Sequence, residues 1–562
     1  MSVTSEYTPI SSASTAPSLD VVGVAQTIDG QTRLHNITFS VSPGEVVAVA
    51  GGSGAGKTTL LQVMAGLATP SAGDVFVDRQ PRADSVGDTD VAYVPQDDII
   101  HMELPLRRTI DHAAQLRLGE AVSDADREAI VTRTLARLDL CGRDDVAVGD
   151  LSGGQRKRAS IASELLTDPR LLFLDEPTSG LDPATSAGVV DHLRQVAASG
   201  TTVVLTTHSP ADLNRCDRIV FLARDGHLAF EGSPEQALAY FGVERLAEVY
   251  EVMAGEDPVE LGRQFEAHRL DSFLTADFDA PAADVEPVHG PTKRVGFSRQ
   301  WFALTRRGID LLLNNRLTLA ILIGSPAMVV AMMAVLFRPG TFSPEQVSPV
   351  PAIQTVFWIA FASFFFGLTY GLLQVVGEFN IFVRERFSGL RVGAYVTSKI
   401  AVLVPVLFAV NVVMLAVLRA LDRLPAMSAV SWVELLVTLQ LISTAALSLG
   451  LLASSAVQNA SQATMALPML CFPQVLFAGA VVAIDEMATA GRVMSFGLAD
   501  RWGFEALGNT LGLVEIIGDD SATASYVSAF DNSLVTAWVV LGAMTVAGLF
   551  ATTAVLSRRS RS

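Results

Sequence analysis

The residues Gly51-Gly52-Ser53-Gly54-Ala55-Gly56-Lys57-Thr58 have the types and spacing to hold a phosphate chain: a glycine, four residues, then Gly-Lys-Thr. Glycines let the backbone curl so that its N–H groups point inward at phosphate oxygens. A helix starting at that point adds its positive dipole end. In such a cradle Lys57 sets a full charge on the β- and γ-phosphates, and the Thr58 hydroxyl ligates Mg²⁺. Gly51, Ser53, Gly54, Gly56 and Thr59 complete the expected nucleotide-binding set. The flanks favour this over a chance glycine turn, because 45–50 reads as a buried strand and 59–66 as a helix.

Further along, the apolar run Leu171-Leu172-Phe173-Leu174 reads as a buried strand whose end presents two carboxylates, Asp175 and Glu176. A carboxylate suits the shell of a hard cation, which is the role expected of Asp175. Glu176 is placed to polarise an attacking water as a general base. A solvated acidic pair is the other reading, and four apolar residues in front of it argue against that. Ser152, Gly153, Gly154 and Gln155 open a helix, again a dipole end suited to phosphate.

The elements around these residues divide the chain. It has 562 residues, enough for two or three domains. Half are hydrophobic, only 17% are charged, and mean hydropathy is +0.39, so membrane spans are expected. The formal net charge of −18 excludes a nucleic-acid footprint, which is basic. Cys141, Cys216 and Cys471 lie far apart with no metal-ligand spacing, and no disulfide framework is expected. Residues 1–18, rich in Ser, Thr and Pro, read as a disordered tail. Residues 19–254 alternate short strands with helices and read as a cytosolic α/β domain. Residues 255–296, acidic and Pro/Ala-containing, read as a linker.

Residues 297–316 follow as an amphipathic helix, with Phe297, Trp301, Leu304, Gly308 and Leu311 on one stripe and Arg299, Arg306, Arg307 and Arg316 beside it. That pattern suits the surface of an anionic membrane. A soluble-core helix is the alternative, but an apolar run follows at once. From 317 to 562 there are six such runs, at about 317–337, 352–376, 400–418, 435–457, 461–483 and 534–556, each near the roughly 20 residues a spanning helix needs. Arginine and lysine at 306, 307, 316, 384, 386, 391, 399, 558, 559 and 561 fall on one side of six spans. The acidic stretch 484–533 falls on the other. Both termini are then cytoplasmic, while Arg338, Arg419 and Arg423 dissent mildly.

Tyr93-Val94-Pro95-Gln96, Leu151–Arg158, Leu171–Thr178, Ser179-Gly180-Leu181-Asp182 and Val204–His208 follow the P-loop in an order and spacing that resemble the nucleotide-binding domain of ABC transporters, over roughly 20–250. The resemblance implies an α/β P-loop NTPase domain fused to an all-α membrane domain. It makes Gln96 the Q-loop residue, sensing Mg²⁺ and water, and His208 the H-loop residue on the γ-phosphate. Asp182 becomes the D-loop residue linking two sites, and Ser152 and Gly154 contact the nucleotide of an opposite subunit. The implied catalytic set is Glu176, His208 and Gln96, and the implied Mg²⁺ set is Thr58, Gln96 and Asp175. One departure is visible: the family often stacks adenine on an aromatic residue about two dozen positions before the P-loop, whereas 20–31 has none and Ile28 falls near that place.

ATPase first and membrane domain second resembles the G (White) subfamily of half-transporters and its bacterial relatives. Gln96–His101, Phe297–Gln300, Glu378–Arg386, Leu476–Gly479 and Arg501–Ala506 also resemble its local patterns. The resemblance implies ATP and Mg²⁺ as cofactors and a dimer, either with a second copy or with a related half-transporter. It also implies residence in a bacterial cell membrane and export of a lipid or amphipathic small molecule by alternating access. Phe361, Phe365 and Phe366 in an aromatic second span, with Ala480 and Val481, are the expected substrate cavity. No charge sits mid-span, which disfavours ion or proton transport. A membrane sensor using the same ATPase cycle without cargo is the rival expectation.

Overall fold

Short apolar runs bounded by glycine and acidic turns build two sheets in the first half of the chain. A computed structural model describes residues 16–82, 90–119, 122–275, 295–342, 349–518, 523–530 and 532–560. The chain falls into two units: Met1–Arg299 with Arg384–Leu390, and Gln300–Val383 with Arg391–Ser562.

In the first unit, β1 (Leu19–Ile28), β2 (Gln31–Val41), β3 (Val46–Gly51), β4 (Ala72–Val77), β5 (Gln80–Pro81), β6 (Val91–Val94), β7 (Leu171–Leu174), β8 (Thr202–Thr207), β9 (Arg218–Leu222) and β10 (Leu228–Gly232) are the strands. One sheet runs β2-β1-β4-β5 and is antiparallel; the other runs β10-β9-β3-β8-β7-β6 and is parallel from β9 to β6. All residues of β3, β7 and β8 are buried, which is why they read as unbroken apolar runs rather than alternating ones. Register does the positioning. Ala50 pairs with Thr207, and Leu174 with Leu205, so the carboxyl ends of β3, β7 and β8 reach one sheet edge together. Open α/β sheets bind their ligands at that edge.

The helices that serve the site are α1 (Lys57–Met64), α2 (Leu106–Arg117), α3 (Gly153–Leu165) and α4 (Pro183–Ala198). The expected linker is partly a helix, α5 (Pro258–Thr275). Leu261 and Phe265, one turn apart, are buried, and the Phe265 ring lies 5.7 Å from that of Phe230 and 5.9 Å from that of Tyr240. An acidic surface around two apolar anchors looks like a linker by composition and folds as a helix by periodicity. The rest of that linker, 276–294, and residues 1–15 of the expected tail lie outside the described residues. Pro17 and Ser18 are held: the Thr202 hydroxyl donates to Pro17 O at 2.7 Å, and Ser18 N–H to Asp78 Oδ1 at 3.0 Å.

The second unit is helical: α6 (Phe297–Asn314, most of it here), α7 (Arg316–Leu336), α8 (Pro349–Leu372), α9 (Val392–Ala420), α10 (Ala429–Ala456), α11 (Ala460–Phe477), α12 (Ala499–Thr510) and α13 (Leu534–Arg559). All six apolar runs are helical over most of their length. Among the described residues four helical stretches are long and apolar enough to cross a membrane: Pro349–Phe387, Val392–Ala420, Ala429–Ala456 and Leu534–Arg559. The fifth run stops being helical at Phe477, short of 483, because Gly479 turns the chain at φ 98°. In α6 the expected membrane stripe is only partly outward. Leu304 and Arg307 are buried, and the exposed apolar side chains include Phe302, Ile309 and Leu313. Asp519, Asp520 and Asp531 of the acidic stretch lie outside the described residues.

Helices α8 and α10 approach closely because glycines face backbone. A Cβ on Gly371 would lie 2.7 Å from Leu447 O, and one on Gly367 2.0 Å from Ser443 O. Beside that seam Asn411 is buried in a polar cluster. Its Oδ1 accepts from Ser363 Oγ at 2.9 Å, and its Nδ2 donates to Ser443 Oγ at 3.2 Å. Asn411, Ser363 and Ser443 therefore serve helix–helix contact.

Candidate functional site

The loop after β3 is forced to be glycine at its first position. Gly51 has φ 153°, and a Cβ there would lie 2.3 Å from Leu222 O. The chain then turns through Gly54 and Gly56, both at positive φ, into α1. Lys57 folds back over the loop, its Nζ donating to Gly51 O and Gly52 O, each at 3.0 Å. Burial lowers its pKa from the usual lysine value, and the Glu176 and Asp175 carboxylates oppose that. An ammonium resting on carbonyls at the mouth of a glycine cradle is a fit for a phosphate chain.

The carboxylates arrive from β7. Asp175 Oδ1 accepts from the Thr58 hydroxyl at 3.1 Å and from the Thr206 hydroxyl at 2.6 Å. Thr58 and Asp175 together form an all-oxygen pair, the donor chemistry that fits Mg²⁺. Glu176 sits at φ 44°, a left-handed backbone that costs a non-glycine residue about 1 kcal/mol or more. Its N–H is fixed on Thr206 Oγ1 at 2.8 Å. The side chain meets Gln96 Nε2 at 3.3 Å and lies 3.5 Å from His208 Nδ1. Thus Lys57, Thr58, Gln96, Asp175, Glu176 and His208, spread over 152 residues of sequence (208 − 57 + 1), share one sheet edge.

Ser152, Gly153, Gly154 and Gln155 are elsewhere engaged. Ser152 caps α3: its Oγ accepts from Gln155 N–H, and Gln155 Oε1 accepts from Ser152 N–H. Among the described residues no hydrogen bond joins them to the P-loop. Gly154 packs on Thr185, whose N–H and hydroxyl both go to Asp182, the N-cap of α4. Ser152–Gln155 and Asp182 therefore form a second cluster. Ser53 and Thr59 stand in the loop and in the first turn of α1 without a side-chain hydrogen bond among those described.

Three contributors escaped the sequence reading. Thr206 bridges both acids and was visible only as the penultimate residue of an apolar strand. Lys157 runs its Nζ to Gln96 O at 2.6 Å and Pro95 O at 3.3 Å, so the signature helix grips the Q-loop backbone. Tyr93 sits against Asp175, and burial first, then that carboxylate, pushes its hydroxyl pKa upward, so it stays a neutral donor.

The chain matches the ABC transporter family over residues 34–179 and the ABC-2 type transporter family over residues 299–510. The chain is an ABC transporter ATPase domain followed by an ABC-2 type membrane domain. The ABC transporter ATP-binding/permease protein Rv1747 of Mycobacterium tuberculosis is 33% identical over 509 residues, 89% of this chain and 58% of that one. Protein white of Drosophila melanogaster is 29% identical over 487 residues, 79% of this chain and 69% of that one. ABC transporter G family member 26 of Arabidopsis thaliana is 39% identical over 221 residues, 38% of this chain and 32% of that one. The chain thus spans less than two thirds of the first and about a third of the last.

In the ABC-2 domain the expected cavity residues do not behave alike. Phe366 is wholly buried, enclosed where α8 packs against its neighbours, and presents no surface to a ligand in a single chain. Phe361 and Phe365 are half-buried, in a row of rings with Phe357 and Phe364 at 6.1–6.4 Å. Ala480 is half-buried and Val481 is 56% exposed, just past the Gly479 turn. Sequence alone could not separate these, since a helix that is apolar all round hides which face is covered.

Proposed function

We propose that this ABC chain is one half of a dimeric, ATP-driven transporter, most simply a homodimer, that exports a lipid or amphipathic small molecule across the cell membrane. The observation that supports it best is the split between the two clusters. One gathers Lys57, Thr58, Gln96, Asp175, Glu176 and His208, while Ser152–Gln155 lie apart from it in their own helix cap, as expected if they serve a nucleotide held by another chain.

In this reading Lys57 and the loop amides bind the phosphates, and Thr58, Asp175 and Gln96 hold Mg²⁺, which when bound supplies Lewis-acid polarisation. Glu176 takes a proton from the attacking water, with Gln96 and His208 fixing its carboxylate and the developing charge. Ser152 and Gly154 of one copy close over the phosphates of the other, and Asp182 links the two sites. Closure favours one state of the six-span domain and hydrolysis releases it, with both termini on the ATP side. Phe361, Phe365, Ala480 and Val481 are the proposed cargo contacts.

Reconstitution of the full chain in vesicles tests this. ATP-dependent efflux of lipid or hydrophobic probes is expected, together with enrichment of a co-purifying lipid that differs between wild type and Glu176→Gln by mass spectrometry. Hydrolysis with no flux and no enriched cargo would overturn export and favour the cargo-free sensor. A chain that hydrolyses ATP as a monomer would overturn the dimer.

A further inference from the structure

Asp500, in the first turn of α12, is completely enclosed. Among the described residues neither of its carboxyl oxygens has a hydrogen-bond partner. Its backbone N–H is committed to Gln474 Oε1 of α11 at 3.0 Å, which fastens the start of α12 to that helix. The cation beside it in sequence is turned away. Arg501 places its Nε on Glu505 Oε1 at 2.9 Å and its Nη1 on Ser495 Oγ at 2.6 Å, with its guanidinium over the Phe496 ring. Nature's usual reason for an acid in such a place, an ion pair, is therefore absent for Asp500 and present for Glu505.

The surroundings supply no substitute. On the elements packed against α12, the titratable or charged side chains are Cys471 of α11, Glu434 of α10, Tyr370 of α8, Arg558 and Arg559 of α13, and Glu515 of Leu513–Ile517, while Val527–Phe530 carries none. An ionised carboxylate without a partner in such a site costs far more than a neutral acid, and a buried acid of this kind responds by keeping its proton. The helix that covers it is an interrupted one. Pro468 and Pro473 interrupt the hydrogen-bond ladder of α11 on either side of Cys471, and Gly479 ends the helix in a turn at positive φ.

We propose that Asp500 is a proton-binding site: it carries a proton while α12 is packed on α11 and gives it up to water, leaving a carboxylate, when the two helices part. The packed and parted states then differ by one bound proton, and their equilibrium is linked to pH. The packed state is favoured in acid and loses ground as pH rises. This adds a proton to the cycle of a chain whose spans carry no mid-span charge, and it stands whether or not the cargo is a lipid.

The test uses the full-length protein in nanodiscs. Infrared difference spectra across a pH step should show a protonated-carboxyl band in wild type that is lost in Asp500→Asn. The thermal unfolding midpoint of wild type should fall as pH rises from mildly acidic to mildly alkaline, and Asp500→Asn should lose that slope. Identical pH slopes in the two proteins, or the same carboxyl band in both, would overturn the proposal. If Asp500→Asn fails to fold, the wild-type spectrum still decides, because absence of any carboxyl band responding to pH is incompatible with the site. Stabilisation by sodium over choline chloride that disappears in the variant would overturn it in favour of a metal cation.

Discussion

The Thr206 hydroxyl donates to Asp175 Oδ1 at 2.6 Å, and the same oxygen accepts the N–H of Glu176 at 2.8 Å. One β8 side chain thus ties together the two acids that follow β7 and holds Glu176 in its left-handed backbone. Thr206→Val keeps the shape and removes both bonds. ATP turnover is expected to fall about tenfold or more, equivalent to about 1.4 kcal/mol, while Thr206→Ser stays near wild type. The unfolding free energy should drop by about 1–3 kcal/mol from the unsatisfied Glu176 N–H. Full turnover in Thr206→Val, measured by phosphate release, would remove Thr206 from the site.

Lys57 is the group whose loss should separate binding from folding. Lys57→Met is expected to abolish hydrolysis and flux while the chain still inserts in the membrane. The pH dependence has a definite sign. Burial lowers the folded-state pKa of Lys57, so its desolvation cost is present while it is protonated and fades as pH rises through that lowered value. Wild type should therefore gain thermal stability on Lys57→Met as buffer moves from neutral to alkaline. A wild-type stability, taken relative to Lys57→Met, that stays flat or falls over that range contradicts the assignment of burial as the dominant effect.

Arg117 and Glu164 form a two-point ion pair, both side chains buried, and Arg384 Nε lies 3.6 Å from Glu164 Oε1. The segment Arg384–Leu390 groups with the ATPase unit, so Glu164 answers two arginines from remote parts of the sequence. Glu164→Ala removes the ion pair of the buried Arg117 and should cost about 3–5 kcal/mol. Thermal unfolding of the full chain checks this; a loss no larger than that of a surface pair such as Arg263–Glu260 would show the cluster to be solvated.

The α8–α10 seam predicts opposite outcomes for two glycine-to-alanine changes. At Gly371 the new methyl meets backbone of Leu447, Gly450 and Leu451 within 3.0 Å and should destabilise by about 1–3 kcal/mol. At Gly542 of α13 nothing lies within 4 Å of the new methyl, and helix propensity should stabilise by up to about 1 kcal/mol. Melting curves in one detergent compare them directly, and equal effects would mean that the seam does not hold the two helices together.

The motifs around the phosphate were legible because their chemistry is local. Glycines at fixed spacing, acids at the end of an apolar strand and a serine opening a helix each state a requirement within a few residues. The apolar runs were legible for the same reason, since length and hydropathy are read along the chain. What the sequence could not state was which distant groups meet. Thr206 became the bridge between Asp175 and Glu176 only through the β7–β8 register. Residues 258–275 looked like linker until Leu261 and Phe265 found the Phe230 and Tyr240 rings. In the sequence Phe366 reads as a cavity residue and Asp500 only as part of the acidic stretch 484–533, and packing encloses both. Hydrophobicity and charge are properties of a residue, but burial and pairing belong to the neighbours that tertiary structure brings, and those neighbours decided which acids are paired and which aromatic faces stay open.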